Sequence, residues 1–211
     1  MNSAPSVRDY ARPGTLAAAT ELLAQGGWRV LAGGTDLYPG AGPGLPGRVL
    51  DLTGLPELSG IMEGRGLRIG AATTWAAIAG TKLPPAARAL QQAARQVGGQ
   101  QVQNAGTIGG NLCNASPAAD GVPPLLALEA EVELVSAAGV RRLLLAEFLL
   151  GPRRTALRPG EILAAVLIPE AALCGGSAFV KLGARSHLVI SIAMVAARVV
   201  LEGGRVAGAA I

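Results

Sequence analysis

This chain of 211 residues contains one histidine, two cysteines and few aromatic rings, which make up 3% of it. A lone His187, with no partner set near it in sequence, gives no Ser–His–Asp hydrolase. One histidine and two isolated cysteines make no metal-ligand cluster either, so no metal site and no catalytic residue is expected on this chain. Cys113 and Cys174 form no Cys-x-x-Cys pair and no disulfide framework, which fits a reducing compartment. An iron–sulfur cluster needs about four thiolates, so none is expected here. The net charge of +4 comes from dispersed arginines, with doublets only at Arg141-Arg142 and Arg153-Arg154. Without a basic run or interleaved aromatics, no nucleic-acid footprint is read. The longest apolar run, residues 188–197, is half a membrane span and is interrupted by Ser191. The opening MNSAPSVRDYARP has no apolar signal core. A cytoplasmic protein without membrane insertion is therefore expected.

Half of the residues are apolar, mostly Ala, Leu and Val, so the chain can bury a core made of small aliphatics. Thr15 and Gly26-Gly27 bracket a helix over residues 16–24, followed by a short strand at 28–32. Residues 33–47, dense in glycine and proline, read as irregular, and 48–52 as a second strand. Residues 58–63 and 67–71 read as a hairpin around Gly64-Arg65-Gly66. Thr74 caps a short helix to residue 79, and Pro84-Pro85 opens one that runs to Val97. A long loop spans 106–120. Strands follow at 132–136, 140–144 and 161–168, then at 178–181, 189–201 and 205–211.

Two glycine-containing segments draw the eye. AGGTDL, residues 32–37, follows a strand directly; Gly33 and Gly34 expose backbone N–H groups that can form an anion-binding concavity, and Thr35 adds a hydroxyl. Asp36 is unhelpful beside a phosphate, so its carboxylate is read as bracing the loop. An ordinary tight turn is the simpler alternative, because the full G-x-G-x-x-G is absent and no helix follows directly. TIGGNLCNASPAAD, residues 107–120, places Thr107, Gly109 and Gly110 as a second anion nest, with Asn111, Asn114 and Ser116 suited to sugar or ribityl hydroxyls and Asp120 to accept from one. A self-satisfied polar loop is the alternative here, but fourteen such residues in a compact domain favour a functional loop.

These two segments, with TALRPGEILAAVLIP at 155–169 and SAFVKLGARSHLVISIAMVAA at 177–197, resemble the FAD-binding (medium) subunit of the molybdenum hydroxylase family, of xanthine dehydrogenase, carbon monoxide dehydrogenase and aldehyde oxidoreductase type. The resemblance implies an α+β, two-subdomain FAD-binding fold of the molybdopterin-dehydrogenase flavoprotein type with an incomplete C-terminal β-rich domain. The divisions expected are an N-terminal α/β subdomain at 1–53, a larger α+β subdomain at 54–170, and at 171–211 the start of a C-terminal flavoprotein domain that the chain truncates.

Further implications of the resemblance concern individual residues. Ala32, Gly33, Gly34, Thr35, Asp36 and Leu37, with Thr107, Ile108, Gly109, Gly110 and Asn111, would wrap the diphosphate of a non-covalent FAD. Asn114 and Asp120 match positions that hold the rest of the cofactor. Leu163, or its neighbour Ile162, matches an aliphatic packed on the flavin ring, and Lys181 a lysine near the cofactor. Val97 stands where some relatives place an aromatic ring. The 2Fe-2S clusters and the molybdopterin would belong to partners, an iron–sulfur subunit and a molybdopterin-binding subunit of a hetero-oligomeric complex. The chain would move electrons from those clusters via FAD to NAD, oxygen or a quinone. Alternatives are a non-catalytic FAD- or nucleotide-binding scaffold and a flavin-dependent reductase of the same broad fold.

The remaining distinctive residues carry plainer expectations. Cys113 reads as a small buried filler and His187 as a surface or hinge histidine. Trp28 and Trp75 read as anchors of core or subdomain contacts. Arg153-Arg154 reads as a solvated turn, with contact to an acidic redox partner as the sharper possibility.

Overall fold

The structure, a computed structural model, describes residues 7–41, 47–185 and 189–211. Helix α1 (Leu16–Ala24) lies between strands β1 (Val7–Ala11) and β2 (Trp28–Leu31); a one-turn helix α2 (Leu37–Gly40) then leads to β3 (Gly47–Asp51). The three strands form a parallel sheet in the order β1-β3-β2. Thr15 caps α1 through its hydroxyl, which accepts from the Ala18 N–H at 3.2 Å. Gly26 and Gly27, both at positive φ near 75°, turn the chain into β2.

Strands β4 (Ile61–Gly64) and β5 (Gly66–Gly70) form the expected hairpin. Five helices follow, α3 (Trp75–Gly80), α4 (Arg88–Ala94), α5 (Gln100–Ala105), α6 (Ile108–Asn114) and α7 (Val122–Ala127). Next come β6 (Glu131–Ser136), β7 (Gly139–Leu144), the short α8 (Leu145–Phe148), the two-stranded β8 (Leu149–Gly151) and β9 (Arg154–Thr155), and β10 (Ile162–Ile168). The antiparallel sheet β4-β5-β10-β6-β7 backs the helices over the main core, where Trp75, Ile78, Leu90, Ile108, Leu112, Leu125, Leu128 and Phe148 are fully or almost fully buried. A third sheet, β11 (Gly176–Leu182), β12 (Ala193–Glu202) and β13 (Arg205–Ala210), is also antiparallel. The fold is α+β, as expected.

Helix α4 explains how so alanine-rich a chain packs. Leu90 and Ala94 face the main core, whereas Ala89 and Ala93 face Phe179 and Ala196 of the third sheet. Alanine on that face lets the sheet come close enough for Ala89 N–H to donate to Ser177 Oγ and Phe179 N–H to Gln92 Oε1, both at 2.8 Å. Arg198, whose side chain is 10% exposed, adds a bond to Ala127 O at 2.9 Å and an ion pair with Glu129. Among the described residues, no helix is long and apolar enough to cross a membrane.

Four expectations are corrected. Residues 108–114, read as loop, are helix α6, because Thr107 caps it and its first amides find acceptors on a neighbouring segment. The helix after Pro85 stops at Ala94 rather than Val97. Part of the stretch read as irregular forms α2, while residues 42–46 lie outside the described residues. The last long strand starts at Ala193 instead of 189. His187 also lies outside the described residues.

Candidate functional site

The turn after β2 and the start of α6 meet although about seventy residues separate them. Gly33 runs against the backbone of Ala105 and Gly106; a Cβ on it would sit 1.9 Å from the Ala105 carbonyl oxygen. Only glycine permits that approach. Gly106 O in turn accepts from Trp75 N–H at 3.1 Å, and Thr74 pairs with Thr107 in an isolated bridge. Gly34 sits at φ +70°, with the Tyr38 ring filling the space where a side chain would point.

Between the two turns lies a cleft of about 590 Å³. Ala32, Gly33, Gly34, Thr35, Asp36 and Leu37 line one side, and Thr107, Gly109, Gly110, Asn111, Asn114 and Asp120 the other. Val97, Leu163 and Ile162 supply apolar wall, with Trp75, Val102 and Leu157. Two candidates lie elsewhere. Ile108 is fully buried in the core and its N–H donates to Thr73 O at 3.1 Å, so it leaves the cleft wall. Lys181 lines a second cavity of about 320 Å³, with Gln96, Gly98, Leu182, Gly183, Arg185 and Val189, and reaches the main cleft only through Asp120.

The turns differ in what they offer. Among the described residues, none accepts from the backbone N–H of Gly33, Gly34 or Thr35. The second turn is already satisfied: Gly109 N–H donates to Ala71 O at 2.8 Å, Gly110 N–H to Thr107 Oγ1 at 3.0 Å and Asn111 N–H to Thr107 O at 3.0 Å. The anion nest expected at Gly109-Gly110 is therefore a capped helix start. What this side presents is side chains. Asn111 and Asp120 line this side, and the Oδ1 of each is buried with no hydrogen-bond partner among the described residues. Asn114 Oδ1 accepts from the Arg153 guanidinium, which leaves its amide NH₂ as the free donor. Arg153 lies in an exposed turn, as expected; it holds left-handed backbone at φ +57° and donates its N–H to Ala115 O at 2.8 Å.

Charges at the cleft are paired or displaced from their usual titration. Burial pushes the Asp120 carboxyl above the ordinary range, opposed by a 2.7 Å ion pair with Lys181 Nζ. Glu161, a lining residue with no signal in the sequence, accepts both arms of Arg141 at 2.6 and 2.8 Å; those bonds hold its carboxyl below the ordinary range. Asp36 is exposed and makes no cap bond, so it does not brace its loop. Cys113 is an exposed residue of the cleft lining rather than buried filler. Trp75 is core, as expected, but one edge also walls the cleft. Trp28 is half-buried beneath the Arg48 guanidinium, 4.0 Å from its ring.

A glycine cradle with open amides, facing buried side-chain acceptors across an apolar-walled cleft, defines a module for an extended, phosphate-bearing organic ligand. Residues 5–171 match the family described as the FAD binding domain in molybdopterin dehydrogenase, and the chain belongs to that family. It is 40% identical over 170 residues to the nicotinate dehydrogenase FAD-subunit of Eubacterium barkeri, covering 77% of this chain and 57% of that one. It is 35% identical over 219 residues to the carbon monoxide dehydrogenase medium chain of Afipia carboxidovorans, covering 98% of this chain and 74% of that one. Among solved structures, a chain of the Cu,Mo-CO dehydrogenase superposes with a TM-score of 0.89 at 32% identity, covering 97% of this chain and 73% of that one. A chain of quinoline 2-oxidoreductase from Pseudomonas putida 86 gives 0.84 at 30%, with coverage of 95% and 71%. This chain thus spans between about half and three quarters of the length of these relatives.

Proposed function

We propose that this chain is the FAD-binding electron-transfer subunit of a molybdenum-containing hydroxylase or dehydrogenase, taking electrons from 2Fe-2S clusters of an iron–sulfur partner and delivering them to NAD, oxygen or a quinone. The observation that carries it is the pairing of Gly33-Gly34-Thr35, with open amides, against Asn111 and Asp120, each with an orphaned buried oxygen, across one cleft. A buried acceptor left without a partner costs about 1–3 kcal/mol, so these atoms suit a ligand that brings donors. The cofactor therefore fits the residues present. Ala32 to Leu37 would hold the diphosphate through backbone amides and the Thr35 hydroxyl. Thr107, Gly109 and Gly110 would shape the opposite wall, Asn111, Asn114 and Asp120 would bond its polar groups, and Leu163 would pack on its ring with Ile162 and Val97 beside it. Bound FAD would supply a centre able to exchange electrons singly or in pairs. No proton-transfer residue is required of this chain for that role. A molybdopterin-binding subunit would complete the complex in the cytoplasm, and the chain would divide into units at 1–53, 54–170 and 171–211, each built around its own sheet.

The test is release of flavin and separation of activities. Acid precipitation of the purified chain should free all yellow colour at one FAD per chain; colour kept in the pellet would show a covalent link. The holo chain should reduce dyes, and turnover of purines, aldehydes or carbon monoxide should require the iron–sulfur and molybdenum partners. Turnover by a molybdenum-free chain alone would overturn the electron-transfer role.

A further inference from the structure

The start of β10 walls the cleft, yet it is paired with a strand on one side only. From Ala165 onward β10 lies between β5 and β6, whereas Ile162 and Leu163 pair with β6 alone, at Val135 and Leu134. Both residues line the cleft. Leu163 and Ala165 pair with the consecutive residues Leu134 and Glu133, so Ala164 is an extra residue in the ladder, a β-bulge. Its carbonyl accepts from Ala71 N–H at 2.9 Å. The bulge puts Leu163 in one core with Val166 and Ile168, which strict alternation along a strand would forbid, while Ile162 and Ala164 fall in the other.

Glu161 anchors this one-sided start. Pro159 and Gly160, the latter at φ +81°, turn the chain so that Glu161 N–H donates to Arg158 O at 3.1 Å. The Glu161 carboxylate accepts back from Arg158 N–H at 2.7 Å. Arg141 reaches the same carboxylate from β7, on the far side of β6, and bonds one oxygen through Nε and the other through Nη2. Nη2 also donates to Ala156 O at 2.8 Å. A single carboxylate, 8% exposed, thus joins β7, the turn before β10 and the residue that opens β10. With both oxygens engaged it meets the cleft as a strut; the unpartnered buried acceptors there belong to Asn111 and Asp120.

Resting on the FAD reading above, we infer that the Arg141–Glu161 pair is a positioning device for the ring end of the cleft. It fixes the bulged start of β10, and so the depth at which Ile162 and Leu163 stand against the flavin, and it leaves the diphosphate end at residues 32–37 untouched. Stability is a poor reason for the pair, because desolvation offsets most of the attraction in a buried ion pair. A two-pronged guanidinium–carboxylate contact adds fixed geometry instead. The two ends of the cleft stand on different sheets: the open amides follow β2 of the first, and Arg141 and Glu161 belong to the five-stranded one.

The experiment compares two ligands on the full chain: FAD, which would fill the whole cleft, and ADP, which would engage its diphosphate end alone. Thermal unfolding of the ligand-free form runs alongside. Glu161→Ala should weaken FAD binding by about tenfold or more and leave ADP binding unchanged. Glu161→Gln, which keeps an acceptor for Arg141 without the charge, should fall between. Leu163→Ala should also weaken FAD alone, and the double variant with Glu161→Ala should lose less than the two losses combined, because Glu161 acts through Leu163. Parallel loss of FAD and ADP in Glu161→Ala, following a lower thermal midpoint, would make the pair a brace of the whole fold and overturn the inference. Additive losses in the double variant, or wild-type FAD affinity in Glu161→Ala, would overturn it as well. Should Glu161→Ala not fold, Glu161→Gln and Arg141→Lys, which keeps a cation without the planar fork, decide by the same comparison of ligands. A wild type that fails to bind FAD would take down the functional reading itself, an outcome distinct from the others.

Discussion

The two glycine turns that face each other across the cleft use glycine for opposite purposes. In residues 32–37 the missing side chains open the backbone: Gly33 can touch Ala105 and Gly106, and its amide and those of Gly34 and Thr35 stay unclaimed by the described residues. In residues 107–111 the amides are consumed by Ala71, Thr73 and Thr107, and glycine serves packing; a Cβ on Gly109 would lie 2.6 Å from the Ala71 side chain. The first turn acts through its main chain and the second through the side chains it carries. Similar composition therefore conceals different chemistry, and the hydrogen-bond partners separate the two.

Substitution at the shared contact should break the comparison hardest. Gly33→Ala forces a Cβ into the Ala105 carbonyl and should destabilise the chain by at least about 3 kcal/mol, read as a fall in the denaturation midpoint; an unchanged midpoint would show that the turns do not meet. Gly110→Val is the counterpart on the other side. Its Cβ meets only Thr107 Oγ1, at 3.0 Å, and otherwise projects into open cleft. The expected result is loss of most bound FAD with far-UV circular dichroism and cooperative unfolding retained, and normal flavin content would remove this turn from the site. The smallest effect should come from paired threonine changes. Thr107→Val deletes a helix cap and should cost about 1 kcal/mol, whereas Thr35→Val, which caps nothing, should change stability by less than about 0.5 kcal/mol. Equal costs in the two variants would contradict the division of labour.

Sequence signals reached the elements closed by local chemistry. Thr15 and Thr74 cap their helices as read, Gly64-Arg65-Gly66 turns its hairpin, and Pro169 follows the end of β10. Helix α6 escaped because glycine and asparagine are poor helix formers, and what holds its first turn is tertiary, the carbonyls of Ala71 and Thr73. Strand β1 escaped because VRDYA has no strand alternation and is held from outside by parallel pairing with β3. The cleft was legible at its two turns through composition. Glu161 and Val102 were not, since nothing in a strand start or a helix face announces which cavity it borders. Lys181 and Asp120 were both singled out, but their order, cation behind carboxylate, exists only in three dimensions.

The contact of Gly33 with Ala105 also has a kinetic meaning. It closes a chain loop of about seventy residues, and contacts of such sequence separation form late, after local hairpins and helices. A molecule bridging both turns can be captured only once that loop has closed, and it then fastens the two ends of the loop together. Its grip would be felt on the way out rather than on the way in: slower opening of the assembled protein, with the rate of collapse unchanged.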